Sequence, residues 1–152
     1  MKRSLLKTLA LACVTSVMLM GCGKTGNVAE NVAKEDTMVV TDVRGEVEIP
    51  SNPKRIVDLS GNSDILSILG YDVVGTANSD AYDYTKFPSY LEETLKGAEI
   101  LGYSMQDTMD VEAVMNLNPD LIVISTVQEK MYDQLSEIAP TVMIQLEALN
   151  WK

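Results

Sequence analysis

The hydrophobic and polar positions divide this chain into three stretches. The first stretch begins with Lys2 and Arg3 and continues as an apolar run of about a dozen residues that ends at Gly21. Residues 23–37 are small and polar and show no periodicity. From residue 38 to residue 152, short apolar runs alternate with amphipathic stretches, which predicts a folded domain.

Regular secondary structure is predicted throughout the third stretch. Alternation in TMVVTDVRGEVEI, with Gly45 at the turn, predicts a β-hairpin. Further strands are expected at 56–60, 72–76, 99–101, 121–125 and 141–146, and helices at 61–70, 88–97, 110–117 and 128–139. Because strands and helices alternate, the predicted fold class is α/β, a Rossmann-like lobe with a mostly parallel sheet flanked by helices and preceded by the hairpin.

The helix expected at 61–70 has start and stop signals of its own. Asn62 or Ser63 can cap its N-terminus, and Gly70 can end it. Its apolar face consists of Ile65, Leu66, Ile68 and Leu69. These signals together predict a short amphipathic helix.

Composition excludes several classes of function. The chain carries 22 acidic and 12 basic residues, no histidine, and a formal net charge of −10. A strongly acidic surface argues against nucleic acid, whose recognition needs clustered Lys and Arg. Without histidine the chain lacks the most usual general base and a common metal ligand. Neither a GxSxG nucleophile elbow nor a phosphate-cradling loop is present, so we expect no enzyme, no cofactor and no protein metal site.

The apolar run at the N-terminus is typical of a secretory signal peptide. It is shorter than the about 20 apolar residues that a helix needs to cross a bilayer. A retained membrane anchor is the alternative interpretation. The run ends at Gly21-Cys22 without a basic stop-transfer cluster, which favours cleavage.

Residues Leu19 to Cys22, LMGC, resemble the lipobox of bacterial lipoproteins. This resemblance implies that Cys22 accepts diacylglycerol and becomes the first residue of the mature chain, anchored in the membrane by its acyl chains. Residues 1–21 are then the signal peptide and residues 22–37 a flexible tether. A disulfide between Cys13 and Cys22 is the alternative, but it requires Cys13 to remain after cleavage.

Four segments of the folded part carry a resemblance to a known family. They are similar to the N-terminal lobe of substrate-binding proteins for iron-siderophore ABC importers, a class that also includes cobalamin and haem binders. The resemblance covers residues 38–152 and implies one lobe of a two-lobe, periplasmic-binding-protein-like fold with a helical linker. We expect the chain to stop near the start of that linker, without the C-terminal lobe. The segments are TDVRGEVEIPSNPKRIVDLS, DILSILGYDVVGT, DVEAVMNLNPDLIVIS and MYDQLSEIAPTV.

Candidate ligand contacts follow the carboxyl ends of the predicted strands, where open α/β sheets bind their ligands. They are Asn62, Ser63, Tyr82, Tyr84, Lys86, Ser104, Met105, Thr126 and Gln128. Tyrosine offers a flat apolar face and a hydrogen-bonding tip, which suits a bulky chelate. Simple alternatives remain open: helix capping for Asn62 and Ser63, a solvated loop for the two tyrosines, and an ordinary surface charge for Lys86.

The resemblance also implies a docking residue. Glu112 occupies the position at which the family carries an exposed acid that contacts arginines of the membrane permease. An alternative explanation is local, because Glu112 follows the capping residue Asp110 and an acid in the first turn favours the helix dipole.

These observations combine into one expected function. The protein is expected to be a lipid-anchored, extracytoplasmic solute-binding protein of the cell membrane that captures a ferric siderophore and passes it to an ABC permease and ATPase. The siderophore saturates its iron, so the protein need not supply ligands to the metal. The alternatives are a lipid-anchored surface interaction domain without a small ligand and a binder of cobalamin or haem. The predicted rim offers mainly uncharged side chains and one lysine, which favours a less anionic chelate.

Overall fold

The computed structural model describes residues 36–145. The predicted signal peptide, the lipidation site Cys22, nearly all of the predicted tether and the residues after 145 lie outside this range. The first described elements are two antiparallel strands, β1 (Thr37–Thr41) and β2 (Glu46–Pro50). Gly45 turns the chain between them with a φ of 135°, a value that glycine adopts without strain. The predicted hairpin is therefore confirmed.

Five parallel strands form the main sheet, in the order β5-β4-β3-β6-β7. Every neighbouring pair runs parallel, which confirms the α/β class and the parallel sheet. Since β3 has β4 on one side and β6 on the other, the direction of winding reverses at β3. The strands are β3 (Ile56–Asp58), β4 (Val73–Thr76), β5 (Glu99–Ile100), β6 (Leu121–Ser125) and β7 (Thr141–Ile144).

The core lies where the central strands meet the helices. Val57 of β3 and Ile122 and Ile124 of β6 are completely buried, as expected for strands covered on both faces. Val114 and Leu135 pack onto this cluster from the helical side. Each such side chain stabilises the fold by about 1.5–3 kcal/mol through the hydrophobic effect.

The helices are shorter than the sequence predicts. They are α1 (Ser63–Ile68), α2 (Val111–Asn116) and α3 (Tyr132–Ser136), the last preceded by a 3-10 segment, Thr126–Met131. The predicted cap of α2 is confirmed, because the Asp110 carboxylate accepts hydrogen bonds from the amides of Glu112 and Ala113 at 2.9 and 3.2 Å.

Two predicted helices differ from the observed structure. Residues 88–97 form turns instead. Only Leu91 and Leu95 of this stretch belong to the buried core, and one hydrogen bond from the Leu95 amide to the Leu91 carbonyl (2.9 Å) brings both side chains to the same side. The helix expected at 128–139 does not continue from its predicted start, since Gln128 has non-helical angles (φ −92°, ψ 15°). Tertiary contacts override helix propensity in both stretches.

Helix α1 leaves its predicted apolar face uncovered by the described residues. Ile65, Ile68 and Leu69 are 52%, 79% and 67% exposed. Within residues 36–145, no helix has the length and hydropathy required to cross a lipid bilayer.

The hairpin is fastened to the edge strand of the main sheet. Asp42, in its turn, accepts hydrogen bonds from the amides of Arg44 (2.7 Å) and Gly45 (3.0 Å), and from the amide of Met143 in β7 at 2.8 Å. The guanidinium of Arg44 also lies 4.0 Å above the ring centroid of Tyr132. One carboxylate therefore organises the turn and also accepts a hydrogen bond from a backbone N–H of edge strand β7, which would otherwise be unpaired.

Candidate functional site

Loops from four parallel strands meet at the carboxyl edge of the sheet. They follow β3, β4, β5 and β6, and all of the predicted ligand contacts lie on them or at the first turn of the next helix. The reversal of winding between β3 and β6 is the place where open α/β sheets form a crevice.

A buried carboxylate anchors the loop after β3. Asp58 is the last residue of that strand and has no exposed surface. Its carboxylate accepts hydrogen bonds from the Ser60 hydroxyl and amide (3.0 Å for the amide), from the Asn62 amide (2.8 Å) and from the Ser63 hydroxyl. Burial raises the pKa of Asp58, whereas the hydrogen bonds from Ser60, Ser63 and Asn62 act in the opposite direction. The loop is thus held by four hydrogen bonds to one side chain.

The same network reaches the loop after β4. The hydroxyls of Ser63 and Thr76 are 2.6 Å apart, and the Asn78 amide donates to the Thr76 hydroxyl at 3.0 Å. The side-chain amide of Asn78 donates to the Gly61 carbonyl at 2.9 Å. No motif in the sequence marks Asp58, Thr76 or Asn78 as functional residues. The one local sign is a lone acid within the buried strand segment IVDLS.

A second anchor holds the loop after β5. Gln128 is buried; its oxygen accepts from the Ser125 amide (3.1 Å) and hydroxyl (2.9 Å). Its nitrogen donates to the carbonyls of Ser104 (2.6 Å) and Gln106 (2.8 Å). Gln106 in turn accepts from the Tyr103 amide at 2.8 Å. The buried glutamine therefore joins the end of β6 to the loop that carries Ser104.

Tyrosines form the most exposed part of the site. The rings of Tyr84 and Tyr103 stack with centroids 5.6 Å apart and an interplanar angle of 11°. Tyr84 is 46% exposed and Tyr82 is fully exposed. Two loops thus meet through aromatic contact as well as through the backbone bridge between Asn78 and Tyr103.

The capping alternative for Asn62 and Ser63 finds no support in the hydrogen bonds. Asn62 stands at the N-cap position of α1, but its side chain makes no capping bond and donates to the Ser60 hydroxyl at 2.9 Å. The Ser63 hydroxyl is directed to Asp58. Both side chains therefore serve the network around Asp58.

The remaining predicted contacts differ in accessibility. Met105 is exposed and Thr126 is half-buried, so both can reach a molecule at this edge. Ser63 and Gln128 are buried, with their polar atoms bound internally. Contact of any predicted residue with a ligand stays a prediction, and for the buried pair the geometry favours a positioning role.

Ion pairs surround the site. The Lys86 ammonium lies 3.1 Å from a carboxylate oxygen of Asp83, and that of Lys130 lies 3.0 Å from Asp107. Hydrogen bonds from Thr85 and Lys86 lower the pKa of Asp83 to about 2, and the bond to Asp83 raises the pKa of Lys86. Lys130 similarly lowers the pKa of Asp107. Both lysines are therefore paired with ionised acids at neutral pH.

Glu112 lies in the first turn of α2, with its side chain exposed. Both earlier interpretations fit this position, because the residue is accessible to a partner and also lies at the positive end of the helix. Its docking role stays a prediction.

Comparison with curated proteins gives matches along most of the chain, although no protein-family profile matches it. The "Probable siderophore-binding lipoprotein YfiY" of Bacillus subtilis is 37% identical over 142 residues, which cover 90% of this chain and 42% of that protein. The iron(3+)-hydroxamate-binding protein FhuD of the same species is 34% identical over 137 residues, covering 87% of this chain and 40% of that protein. The chain thus spans less than half the length of these relatives.

Solved structures give the same result. Staphylococcus aureus SirA, complexed with staphyloferrin B, matches with a TM-score of 0.62 and 36% identity over 71% of this chain and 36% of that one. The petrobactin-binding protein YclQ from Bacillus subtilis matches with a TM-score of 0.59 and 30% identity over 71% of this chain and 37% of that one. Both curated relatives and YclQ are named as binding proteins, and SirA was solved with staphyloferrin B bound.

Proposed function

We propose that this chain serves iron uptake, because about nine tenths of it is similar to the "Probable siderophore-binding lipoprotein YfiY" and to the "Putative ABC transporter substrate-binding lipoprotein YhfQ" of Bacillus subtilis. In this proposal it captures a ferric siderophore on the extracytoplasmic face of the membrane and delivers it to the permease and ATPase of an ABC importer. The described unit supplies one wall of the ligand cleft.

The carboxyl edge of the sheet is the observation that carries this proposal. Asn62, Tyr84, Ser104 and Met105 are accessible there, on loops that Asp58 and Gln128 hold in place. Aromatic faces and uncharged hydrogen-bonding groups suit a bulky chelate whose own donor atoms enclose the iron. A surface with these groups in fixed positions loses little conformational entropy on binding.

Backbone NMR of the soluble chain from residue 23 onward tests the location of binding. Ga³⁺ siderophore complexes are diamagnetic stand-ins for the Fe³⁺ complexes, and chemical shifts detect even millimolar affinity. We expect shifts of the amides at 60–63, 78–86 and 103–106. Shifts confined to the amino edge of the sheet, or none at all, would contradict the proposal.

A matched pair of tyrosine variants sharpens this test. Tyr84 and Tyr71 are similarly exposed, at 46% and 41%, but Tyr71 lies before β4, at the opposite edge of the sheet. Tyr84→Ala should weaken binding of the Ga³⁺ complex about fivefold, since an aromatic contact is worth on the order of 1 kcal/mol. Tyr71→Ala should leave the affinity unchanged.

The membrane anchor is proposed from the lipobox-like LMGC and from the lipoprotein relatives. Expression of the chain with and without Cys22→Ala in a bacterium, followed by labelling with radioactive palmitate and gel electrophoresis, tests it. The Ala variant should take up no label and should keep its signal peptide, so that it migrates as the longer precursor. If the variant is labelled and processed like the parent, the anchor assignment fails.

Delivery to a permease is proposed to involve Glu112. In a chimaera in which this sequence replaces the matching part of YfiY, Glu112→Lys should abolish transport while leaving siderophore affinity within twofold. Glu129→Lys reverses another exposed acid early in a helical segment and controls for the change in net charge. Unchanged uptake by the Glu112 variant would remove the docking role.

Other ligands give different outcomes in the same assays. A cobalamin or haem binder would show shifts at the same edge with those molecules and not with Ga³⁺ siderophores. A surface interaction domain without a small ligand would respond to none of them.

A further inference from the structure

We propose that the carboxyl edge of this sheet selects ferric chelates with little or no net negative charge and disfavours tri-anionic chelates. This inference rests on the proposed function and adds the chemical class of the ligand. The charges placed along that edge carry it.

Basic side chains at this edge are neutralised by neighbouring acids. Within residues 36–145, Lys86 and Lys130 are the basic residues that closely follow the carboxyl ends of strands. Lys86 lies 3.1 Å from Asp83, and Lys130 lies 3.0 Å from Asp107. Each lysine thus has a carboxylate within hydrogen-bonding distance before any ligand arrives.

Other basic residues of the described range lie elsewhere. The side chain of Arg55 precedes β3 and donates to the Leu117 carbonyl at 2.6 Å, at the amino end of the sheet. Lys96 lines a groove with residues at the start of β4. Arg44 lies over Tyr132 beside the hairpin. Lys54 precedes β3 like Arg55, and its backbone amide donates to the Asp120 carboxylate at 2.6 Å. None of these four can offer its charge to a ligand at the carboxyl edge without a large rearrangement.

Acidic groups make the same edge net negative. Asp58 lies beneath the loop after β3, and Asp80 lies in the loop that carries Lys86. A tri-anionic chelate would approach these carboxylates without an unpaired cation to offset the repulsion. A neutral or cationic chelate meets no such repulsion and can use the stacked tyrosines and the uncharged polar groups.

Asp83 offers a direct test, because its two carboxylate oxygens have separate partners. One oxygen accepts from the amide (3.2 Å) and hydroxyl (2.7 Å) of Thr85, and the other lies 3.1 Å from Lys86. Asp83→Asn keeps an oxygen for Thr85, so the loop can retain its shape while the lysine charge is released. Asp107→Asn likewise removes the carboxylate that is paired with Lys130 and so releases the charge of that lysine.

The experiment titrates the chain with three Ga³⁺ complexes: a cationic tris-hydroxamate, a neutral tris-hydroxamate and a tri-anionic tris-catecholate. The parent chain should bind both hydroxamates at least tenfold more tightly than the tris-catecholate. Asp83→Asn should tighten tris-catecholate binding about three- to tenfold at low salt and change neutral binding less than twofold. Asp133→Asn makes the same charge change beside Arg44 and serves as the control.

Two results would overturn the inference. The first is tris-catecholate binding as tight as hydroxamate binding by the parent chain. The second is an equal effect of Asp83→Asn, Asp107→Asn and Asp133→Asn on tris-catecholate affinity. If no complex of any charge shifts an amide, the proposed function itself fails, so the two failures are distinguishable.

Discussion

Asp58 shows how much of the candidate site depends on one side chain. Its carboxylate is buried and accepts hydrogen bonds from the hydroxyls of Ser60 and Ser63 and from the amide of Asn62. Removing such an acceptor leaves buried donors unsatisfied, at about 1–3 kcal/mol. Burial disfavours the charged form of Asp58 and so raises its pKa. The hydrogen bonds that order the loop favour the charged form and act in the opposite direction.

Asp58→Asn should change how stability depends on pH. Because the folded-state pKa of Asp58 is raised, its contribution is fully present below the unfolded pKa and is lost as pH rises through the folded pKa. The difference in unfolding free energy, parent minus variant, should therefore fall between acid and neutral pH in urea titrations. A difference that grows with pH would show that the folded pKa is lowered instead.

Asp83 should show the opposite sign. Its pKa is lowered to about 2, so its contribution is present above the unfolded pKa and is lost as pH falls through the folded value. Comparison of the parent with Asp83→Asn between pH 4 and pH 2 checks the direction. The residue is exposed, so the effect should be small and should shrink in high salt.

Gly61 is required for the close approach of two loops. It has a φ of 90°, and a Cβ there would lie 2.8 Å from the Ser104 hydroxyl. Gly70 has a similar φ of 86°, but no atom lies within 4 Å of its would-be Cβ. Gly61→Ala should therefore destabilise by about 1–3 kcal/mol more than Gly70→Ala, the excess reporting the clash. Equal losses in thermal unfolding would show that Ser104 moves aside freely.

Among the elements, strands were easier to predict than helices. The runs IVD and LIVIS form β3 and β6, because buried parallel strands need a continuous apolar sequence. Helix lengths depend on tertiary contacts that no local pattern reveals. Residues 88–97 form turns around Leu91 and Leu95.

The stretch at 126–131 shows what local patterns miss. The sequence predicts that Gln128 starts an amphipathic helix, but this residue closes a capping box with Ser125 and donates a hydrogen bond to the Ser104 carbonyl. The hydrogen bond from Gln128 to the Ser104 carbonyl joins residues that are 24 positions apart, and no local sequence pattern indicates it. The sequence predicts which loops follow the carboxyl ends of the strands, whereas the hydrogen bonds that hold these loops together could not be predicted from it.

Gln128→Ala should loosen the loop after β5. The change removes the acceptor for Ser125 and the donor to Ser104 and Gln106, at a cost of about 1–3 kcal/mol. Amide exchange at 103–106 should accelerate more than exchange in β3. Gln134→Ala, at an exposed position of α3, should stay within about 0.5 kcal/mol of the parent. Similar effects of both variants would show that Gln128 anchors nothing.

At the scale of the whole molecule, the sheet order connects sequence to site. The sequence predicts alternating strands and helices, but it does not show that β3 lies between β4 and β6. That order brings the loops after β3, β4, β5 and β6 to one edge, which is the edge at which open α/β sheets bind their ligands. The net charge of −10 could be read directly, yet the pairing of Lys86 and Lys130 with acids needed the structure.

The hairpin connects the beginning and end of the described unit. Asp42→Ala should destabilise by about 1–3 kcal/mol, because three backbone amides lose their acceptor. Exchange of the Met143 amide should accelerate most. Asp133→Ala removes only an exposed ion pair with Arg44 and should cost less than about 1 kcal/mol. If the Met143 amide exchanges as slowly in Asp42→Ala as in the parent, the hydrogen bond from this amide to Asp42 does not protect it in solution.

Asp42 and Met143 are 101 positions apart, so a chain that is exported with its N-terminus leading forms the hydrogen bond between them late. On the proposed export route the chain crosses the membrane unfolded, and the hairpin emerges well before β7. Until β7 arrives the sheet keeps an open edge, so the speed of export and the chaperones outside the membrane should decide how much of the product aggregates.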